Sequence, residues 1–349
     1  MSIYNSGDLM RAFLSTVIIC LLVICGIYVH SLYILLQNHL ESTVSKDADF
    51  YANLRYATVE SDDNFFILYD VYVNRTLEAT FELYKDAYDY AKDNSNASIY
   101  EHHTLSWVWD NYPPFELNVN NMRIMHSSFI SAKEEALKYD DAWITFKHSG
   151  AKIWERDYTP ASSYFIDVPM IEQLPELPRG CEVTSLAMLL NYMGIEVDKM
   201  TLADEVSRHE NNPYKGFLGN MYNWNEWGYG VYHEPIFELM HKYLPDRAID
   251  MTYTDFEDLY YLIEQGSPIW VLINTTYNRL PASRYQNLRT DEGIMQITYS
   301  MHSVLVTGYD ENYIYFNDPL SRATRAPKSG FIAAWKQMGR QAVAAAPAY

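Results

Sequence analysis

The chain has 349 residues, 48% of them hydrophobic and 20% charged, a composition that excludes a disordered or low-complexity protein. Its formal net charge is −19, from 26 Lys and Arg against 45 Asp and Glu. Nucleic acids and anionic lipid surfaces bind proteins that have a positively charged surface, so this negative charge argues against both as electrostatic partners. Three cysteines are too few for a fold held together by disulfides.

The first predicted element is a membrane-spanning helix over residues 12–36. The stretch from Ala12 to Leu36 carries no charge, and its 25 residues would extend about 37 Å as a helix. A cleaved signal peptide has a shorter apolar region and a small-residue cleavage site, and neither is visible. Arg11 is the basic residue on the short N-terminal side. We therefore expect residues 1–11 to be a cytoplasmic stub and the body to lie outside the cytoplasm, held in the cell membrane by a single pass.

Residues 37–64 are polar and show no sustained apolar period, which indicates a stalk. Residues 65–160 are predicted to form a small α+β region. Within it the segments Phe81–Tyr112 and Phe129–Tyr158 resemble each other, since each has an acidic helix pattern and then a β-rich stretch ending in Trp and an acid. We interpret them as two copies of a repeat of roughly 45 residues, and two unrelated amphipathic stretches are the alternative.

The remaining block contains Cys181, the one cysteine outside the predicted membrane segment. It stands in LPRGCEVTSLAMLLNYMG, where Gly180 precedes it and apolar residues then recur at helical spacing. The cysteine therefore falls in the first turn of a helix, where free N–H groups and the helix dipole favour a thiolate. A plain buried cysteine is the alternative, but the position is typical of a nucleophile.

A thiolate nucleophile needs an imidazole, which in turn needs an orienting acceptor. His302 opens the β-branched run HSVLVTGYD, and a second strand, NYIYFNDP, follows after a short turn. A hairpin would bring Asn317 and Asp318 near His302, and only one of them can point at it, because successive strand residues face opposite sides. One Cys and scattered His give no metal-ligand spacing, and no phosphate-binding loop occurs. We expect no metal, no cofactor and no nucleotide.

These segments together resemble the C39-like peptidase family. The resemblance runs from about Asp167 to Val343 and rests on VPMIEQLPELPRGCEVTSLAMLLNYMGI, GFLGN, YGVYHEPI, HSVLVTGYD, FNDPL and FIAAWKQMGRQAV. It implies an α+β, papain-like domain over residues 161–349, with a Cys-bearing helix packed on an antiparallel sheet that carries the His and the Asp. It also implies Cys181 as nucleophile, His302 as base, Asp318 as orienter and Gln173 as an oxyanion-hole side chain. Asn317 stays open as a rival orienter.

Between Cys181 and His302 lies GFLGNMYNWNEWGYGVYHEP, in which glycines and aromatics are too dense for a regular helix or strand. We expect Gly180, Trp224, Trp227 and Tyr229 to contact a peptide substrate, with the three aromatic rings as stacking groups. An irregular loop that packs its own aromatics is the alternative.

The sequence therefore predicts a membrane-anchored cysteine peptidase that acts on a peptide or protein at the cell surface. Family members that cut leader peptides on the cytosolic side belong to transporters, and this chain has no ATPase motif. Two other hypotheses remain. One is a hydrolase or amidase of the Cys-His class that acts on peptidoglycan stems, and the other is a catalytically silent surface binding module.

Overall fold

The computed structural model describes residues 67–347, and the chain divides into two compact units, residues 1–111 and 112–349. The predicted stub, membrane helix and stalk, residues 1–11, 12–36 and 37–64, lie outside the described residues. Among residues 67–347, no helix combines the length and the apolar character that crossing a membrane requires.

In its described part, the first unit folds as a small antiparallel sheet covered by one helix. A hairpin opens it, because Asn74 and Arg75 take positive φ angles of 50° and 68°, as a two-residue turn between twisted strands requires. The helix buries Ala87 and Ala91 against Val71 of the sheet. The strands pair in the order β2-β1-β3-β4, and the elements are β1 (Tyr69–Val73), β2 (Thr76–Phe81), α1 (Tyr84–Ala91), β3 (Ala97–Glu101) and β4 (Trp107–Asp110).

The second unit begins with the same order of elements. Asn120 and Asn121 form its hairpin turn, with φ angles of 48° and 63°, and its strands pair in the order β6-β5-β7-β8. These elements are β5 (Phe115–Val119), β6 (Met122–His126), α2 (Phe129–Ala136), β7 (Ala142–Phe146) and β8 (Lys152–Glu155). Each of the two similar segments found in the sequence covers a helix and the two strands after it. The hairpin before each helix also recurs, although it lies almost entirely outside the two similar segments.

The rest of the second unit consists of helices packed against one large antiparallel sheet. Its main path is β12-β19-β13-β16-β17-β18, and β9 pairs with β16. The helices are α3 (Cys181–Tyr192), α4 (Lys199–Glu205), α5 (His233–Tyr243), α6 (Phe256–Glu264) and α7 (Lys328–Gln337), with a 3₁₀ turn at Ala282–Arg284. The strands are β9 (Tyr164–Phe165), β10 (Arg208–His209), β11 (Phe217–Leu218), β12 (Ala248–Asp250), β13 (Ile269–Asn274), β14 (Gln286–Thr290), β15 (Gly293–Ile297), β16 (Met301–Tyr309), β17 (Tyr313–Asn317), β18 (Arg325–Pro327) and β19 (Ala342–Ala345). Outside the large sheet, β10 and β11 form a parallel pair, and β14 and β15 form an antiparallel hairpin.

Two fully buried strands, β13 and β16, form the centre of this sheet. β13 is an almost continuous apolar run, whereas β16 is fully buried although it includes His302, Ser303 and Thr307. Helix α3 packs against both strands. In the register Ile273 lies opposite His302, so the histidine belongs to a central strand. The next strand, β17, pairs Asn317 with Leu305 and thereby brings its C-terminal end back beside the start of β16. The predicted arrangement of a Cys-bearing helix on an antiparallel sheet is present.

Candidate active site

Cys181 is the first residue of α3, and Gly180 is its N-cap. The turn before the helix is tight: a Cβ on Gly180 would lie 2.6 Å from Leu177 Cβ, a distance that side chains do not tolerate. Gly180 is itself buried. Its place in the structure therefore explains how the turn presents Cys181, and the expected contact with substrate stays a prediction.

A buried pair stands on the sheet below this helix. His302 Nε2 lies 2.6 Å from Asp318 Oδ1, and both side chains are almost fully enclosed. Asp318 also accepts hydrogen bonds from the Tyr277 hydroxyl and from the Leu320 backbone N–H. Burial by itself would raise the pKa of Asp318. The hydrogen bonds to the carboxylate, of which that from His302 is the strongest, outweigh burial and lower the pKa. An ionised Asp318 thus fixes the ring through Nε2, and Nδ1 is the nitrogen that this bond does not use.

The neighbouring Asn317 is turned the other way. Its side-chain nitrogen donates to the carbonyl oxygen of Val168 at 2.8 Å. Adjacent residues of an extended chain point to opposite sides, so Asn317 faces Val168 when Asp318 faces His302. Of the two candidate orienters, Asp318 is the one placed at the histidine.

The thiol of Cys181 lies beside this pair. The backbone N–H of Ser303, the residue after His302, acts to lower the pKa of the Cys181 thiol, and the negative charge of Asp318 acts to raise it. The thiol itself donates to Glu182 Oε2 at 3.2 Å. The structure therefore brings Cys181, His302 and Asp318 to one place, while a direct contact between the sulfur and the imidazole stays a prediction.

The electrostatics of the thiol differ from the expectation. Burial, followed by the negative charge of Glu182, raises the pKa of Cys181 well above its ordinary value. The Ser303 N–H acts in the opposite direction but is weaker. The helix start therefore does not suffice to make a thiolate, because the nearest charged group is a carboxylate and not a cation.

Gln173 is buried in the turn that leads to α3. Its backbone N–H donates to the carbonyl of Pro319, the residue after Asp318, which ties the turn to the sheet. Its side-chain nitrogen donates to the carbonyls of Leu177 and Pro178 at 3.0 and 3.3 Å. Gln173 is thus held within the site, and its role as an oxyanion donor stays a prediction.

Arg179, two residues before Cys181, links the nucleophile turn to the aromatic segment. Its guanidinium donates to the carbonyls of Asn223 and Trp224 at 2.6 and 3.2 Å. The same group stands over the Trp224 ring, 5.4 Å from its centre, in a cation–π contact. Trp224 is 61% exposed, so one of the expected stacking groups lies open to solvent near the nucleophile turn.

Trp227 is the second exposed ring, and its indole N–H donates to the Tyr299 hydroxyl at 2.8 Å. Tyr299 is also exposed and lies just before β16, three residues ahead of His302. Tyr229 differs: it is buried, and its hydroxyl pairs with that of Tyr232. Trp224, Trp227 and Tyr299 are therefore the exposed rings here, and we call them the aromatic rim. Tyr229, the third ring expected to contact substrate, is buried instead.

Sequence reasoning missed Glu182. Its side chain is buried, and burial raises its pKa to about 7. The available signal was an acid directly after the candidate nucleophile, in a helix whose other early residues are apolar or small. Among residues 67–347, no group of three or more His, Cys, Asp or Glu side chains is arranged to hold a metal ion.

Known proteins share this domain. Residues 165–343 match the model of the Peptidase_C39 like family. The uncharacterized protein YvpB of Bacillus subtilis strain 168 is 44% identical over 189 residues, which are 51% of this chain and 74% of YvpB. A crystal structure from Bacillus anthracis, of a protein assigned to the C39-like peptidases, is 43% identical with a TM-score of 0.52, and the match covers 53% of this chain and 98% of that one.

Proposed function

The chain belongs to the Peptidase_C39 like family, and from this premise we propose that it is a cysteine peptidase with Cys181 as its nucleophile. One observation carries the proposal: the buried pair of His302 and Asp318 at 2.6 Å, with His302 on β16, the strand against which the Cys181 helix packs. A histidine held by a carboxylate beside a thiol is the arrangement that nucleophilic catalysis of acyl transfer uses.

The first half of the reaction forms a thioester. His302 Nδ1 takes the thiol proton as the sulfur attacks the carbonyl carbon of the scissile peptide bond. The resulting oxyanion is bound by the Cys181 backbone N–H, since the first N–H groups of a helix have no partner within it. Gln173 becomes a second donor when one of its amide N–H groups leaves the carbonyl of Leu177 or Pro178. His302 then returns the proton to the leaving amine, and the C–N bond breaks.

The second half releases the acyl group. Water enters the place of the amine and gives one proton to His302 as its oxygen attacks the thioester carbon. The C–S bond breaks, the carboxylic acid leaves, and the thiol regains its proton. Throughout, Asp318 stays ionised and holds the ring, so the imidazolium that forms in each half has a counter-charge at 2.6 Å.

The aromatic rim supports a peptide as the substrate. The rim consists of three large exposed rings, Trp224, Trp227 and Tyr299. Arg179 links Trp224 to the turn that carries Cys181, and Tyr299, which bonds to Trp227, lies just before the strand that carries His302. Exposed rings of this kind bind extended chains through their faces and through their polar tips. We include in the proposal that residues 12–36 anchor the enzyme in the cell membrane, with the domain outside the cytoplasm.

The test is hydrolysis of a diverse peptide library by the full-length chain, with products identified by mass spectrometry. The expected result is cleavage at a restricted set of sequences, lost in Cys181→Ala and in His302→Ala. A matched control is the double variant Cys20→Ser, Cys25→Ser, which should cleave the same peptides.

Two outcomes would reject the proposal. Cleavage of peptidoglycan stem peptides alone would replace it with the amidase hypothesis. The absence of any cleavage, together with specific binding of peptides that Trp227→Ala abolishes, would replace it with the silent binding module.

A further inference from the structure

The Glu182 carboxyl group is fixed against the nucleophile by contacts at both of its oxygens. Oε2 accepts from the Cys181 thiol at 3.2 Å, and Oε1 accepts from the Val231 backbone N–H at 3.0 Å. The side chain is almost fully removed from solvent. A buried carboxyl is unfavourable unless it is protonated or well bonded, so its position next to a reactive thiol requires a physical account.

The surroundings are shaped to hold this side chain. The Trp270 indole N–H donates to the Glu182 carbonyl at 3.0 Å and fixes the backbone. Gly230 leaves the space for the carboxyl, because a Cβ there would lie 2.3 Å from Glu182 Oε1 and 2.1 Å from Met301 Cε. Gly230 also has a φ of +143°, which L side chains rarely adopt. Two separate parts of the chain, β13 and the loop at Gly230 and Val231, thus hold Glu182 at the sulfur.

The electrostatics couple the two groups. Burial raises the pKa of Glu182 to about 7, and the Glu182 charge contributes to the raised pKa of Cys181. Two negative charges this close in a buried site repel strongly, as in a carboxylate dyad. Among the other titratable groups, Tyr229 from the aromatic segment faces Glu182, and Asp318, which is bonded to His302, acts on the Cys181 thiol.

We propose that Glu182 is a further catalytic residue, which shares a proton with Cys181 and so decides when the sulfur becomes a nucleophile. The inference rests on the proposed function in taking Cys181 as the nucleophile. While Glu182 is ionised, the proton stays on sulfur, because a thiolate would add a second negative charge beside the carboxylate. Once Glu182 takes a proton from solvent, the thiol proton can pass to His302 Nδ1: the S–H bond breaks, an N–H bond forms, and the neutral carboxyl donates to the thiolate.

A neutral Glu182 therefore permits the thiolate, and an ionised Glu182 opposes it. The proposal predicts the alkylation profile of the native thiol. The rate should rise with pH, level off above about pH 7 as Glu182 ionises, and rise again when the thiol ionises beside the carboxylate. In Glu182→Gln the side chain keeps its shape and its acceptor for Val231 but has no charge, so a single step should remain.

The experiment measures the iodoacetamide rate of Cys181 in the full-length chain between pH 5.5 and pH 9. The modified peptide that contains Cys181 is quantified by mass spectrometry, which separates it from Cys20 and Cys25. The rate of Glu182→Gln divided by that of the wild type should be near one at pH 6. It should reach about tenfold at pH 8, since a group that titrates near 7 is then about nine-tenths ionised.

Glu234→Gln is the matched control. Burial also raises the pKa of Glu234 to about 7, but its side chain lies against His233 at the start of α5. Its rate ratio should not change with pH. A ratio for Glu182→Gln that is flat across pH would overturn the proposal. If that variant does not fold, the wild-type profile decides, because a rise in one step without a plateau would also overturn it.

The outcomes separate this inference from the proposed function. If the proposed function is wrong, the hydrolysis assay shows no cleavage, while the ratio of the Glu182→Gln and wild-type alkylation rates still depends on pH. If Glu182 does not share the proton, hydrolysis is retained and the ratio is flat.

Discussion

Replacing Glu182 by Gln should stabilise the protein at alkaline pH, because the folded state holds this carboxyl in its neutral form. Its pKa rises from the ordinary 4.5 to about 7 on folding. At about 1.4 kcal/mol per unit, this corresponds to about 3 kcal/mol. A raised pKa gives stability that is complete below the unfolded pKa and is lost as pH rises through the folded one. The wild type should therefore lose this stability between about pH 4.5 and pH 7.

The assay is urea unfolding at pH 5 and pH 8.5, followed by tryptophan fluorescence. Both Trp270 and Trp335 are fully buried and report on the domain. The difference in free energy of unfolding between Glu182→Gln and the wild type should be greater at pH 8.5 by about 2 to 3 kcal/mol, because part of the loss has already occurred at pH 5. Titrating groups that are not coupled to Glu182 are common to both proteins and cancel. A difference that is independent of pH, or a variant that is destabilised most at pH 8.5, would refute the reasoning.

Three further predictions follow, two on residues that support the site and one on the ion pair of 2.5 Å between Lys133 of α2 and Asp258 of α6. Tyr277→Phe removes the hydroxyl that donates to Asp318 and should lower kcat about tenfold with KM unchanged; an unchanged kcat in steady-state assays would show that Asp318 needs no such support. Lys133→Met leaves the nearly buried Asp258 without its cation and should cost about 3 kcal/mol in urea unfolding; adding Asp258→Asn should recover part of this loss, and no recovery would contradict the pairing. Gly230→Ala places a Cβ 2.1 Å from the nearest side-chain atom at a φ of +143° and should cost about 1–3 kcal/mol, whereas an unchanged melting temperature would show that the pocket relaxes freely.

Local sequence sufficed for the elements that carry the candidate site. Cys181 follows a Pro/Gly turn and precedes an apolar period, and α3 begins at that residue. His302 opens a β-branched run that is long enough for a central strand, and β16 includes it. These features depend on neighbours within a few residues, which periodicity and turn chemistry record.

Other parts of the site depend on contacts that local sequence does not contain. The choice between Asn317 and Asp318 needs the register of β16 and β17, and that pairing shifts between Val306 and Gly308. The pairing of Trp227 with Tyr299 joins residues 72 positions apart.

Glu182 has the ordinary place of an acid in the first turn of a helix, where exposure is the usual expectation. Its burial comes from the loop at Val231 and from β13, both distant in the sequence. The raised pKa of the thiol has the same origin, since it follows from burial and from this carboxyl. A prediction from the helix start alone therefore gave the wrong direction.

Covalent capture of the reaction intermediate tests the central claim most directly. A peptide that the full-length chain cleaves is mixed with the protein, quenched in acid within the first turnover, and the chain is mapped by mass spectrometry. The account predicts a thioester on Cys181 that carries the N-terminal part of the peptide, and its disappearance in His302→Ala. Cleavage of the same peptide by Cys181→Ala at the wild-type rate would contradict it.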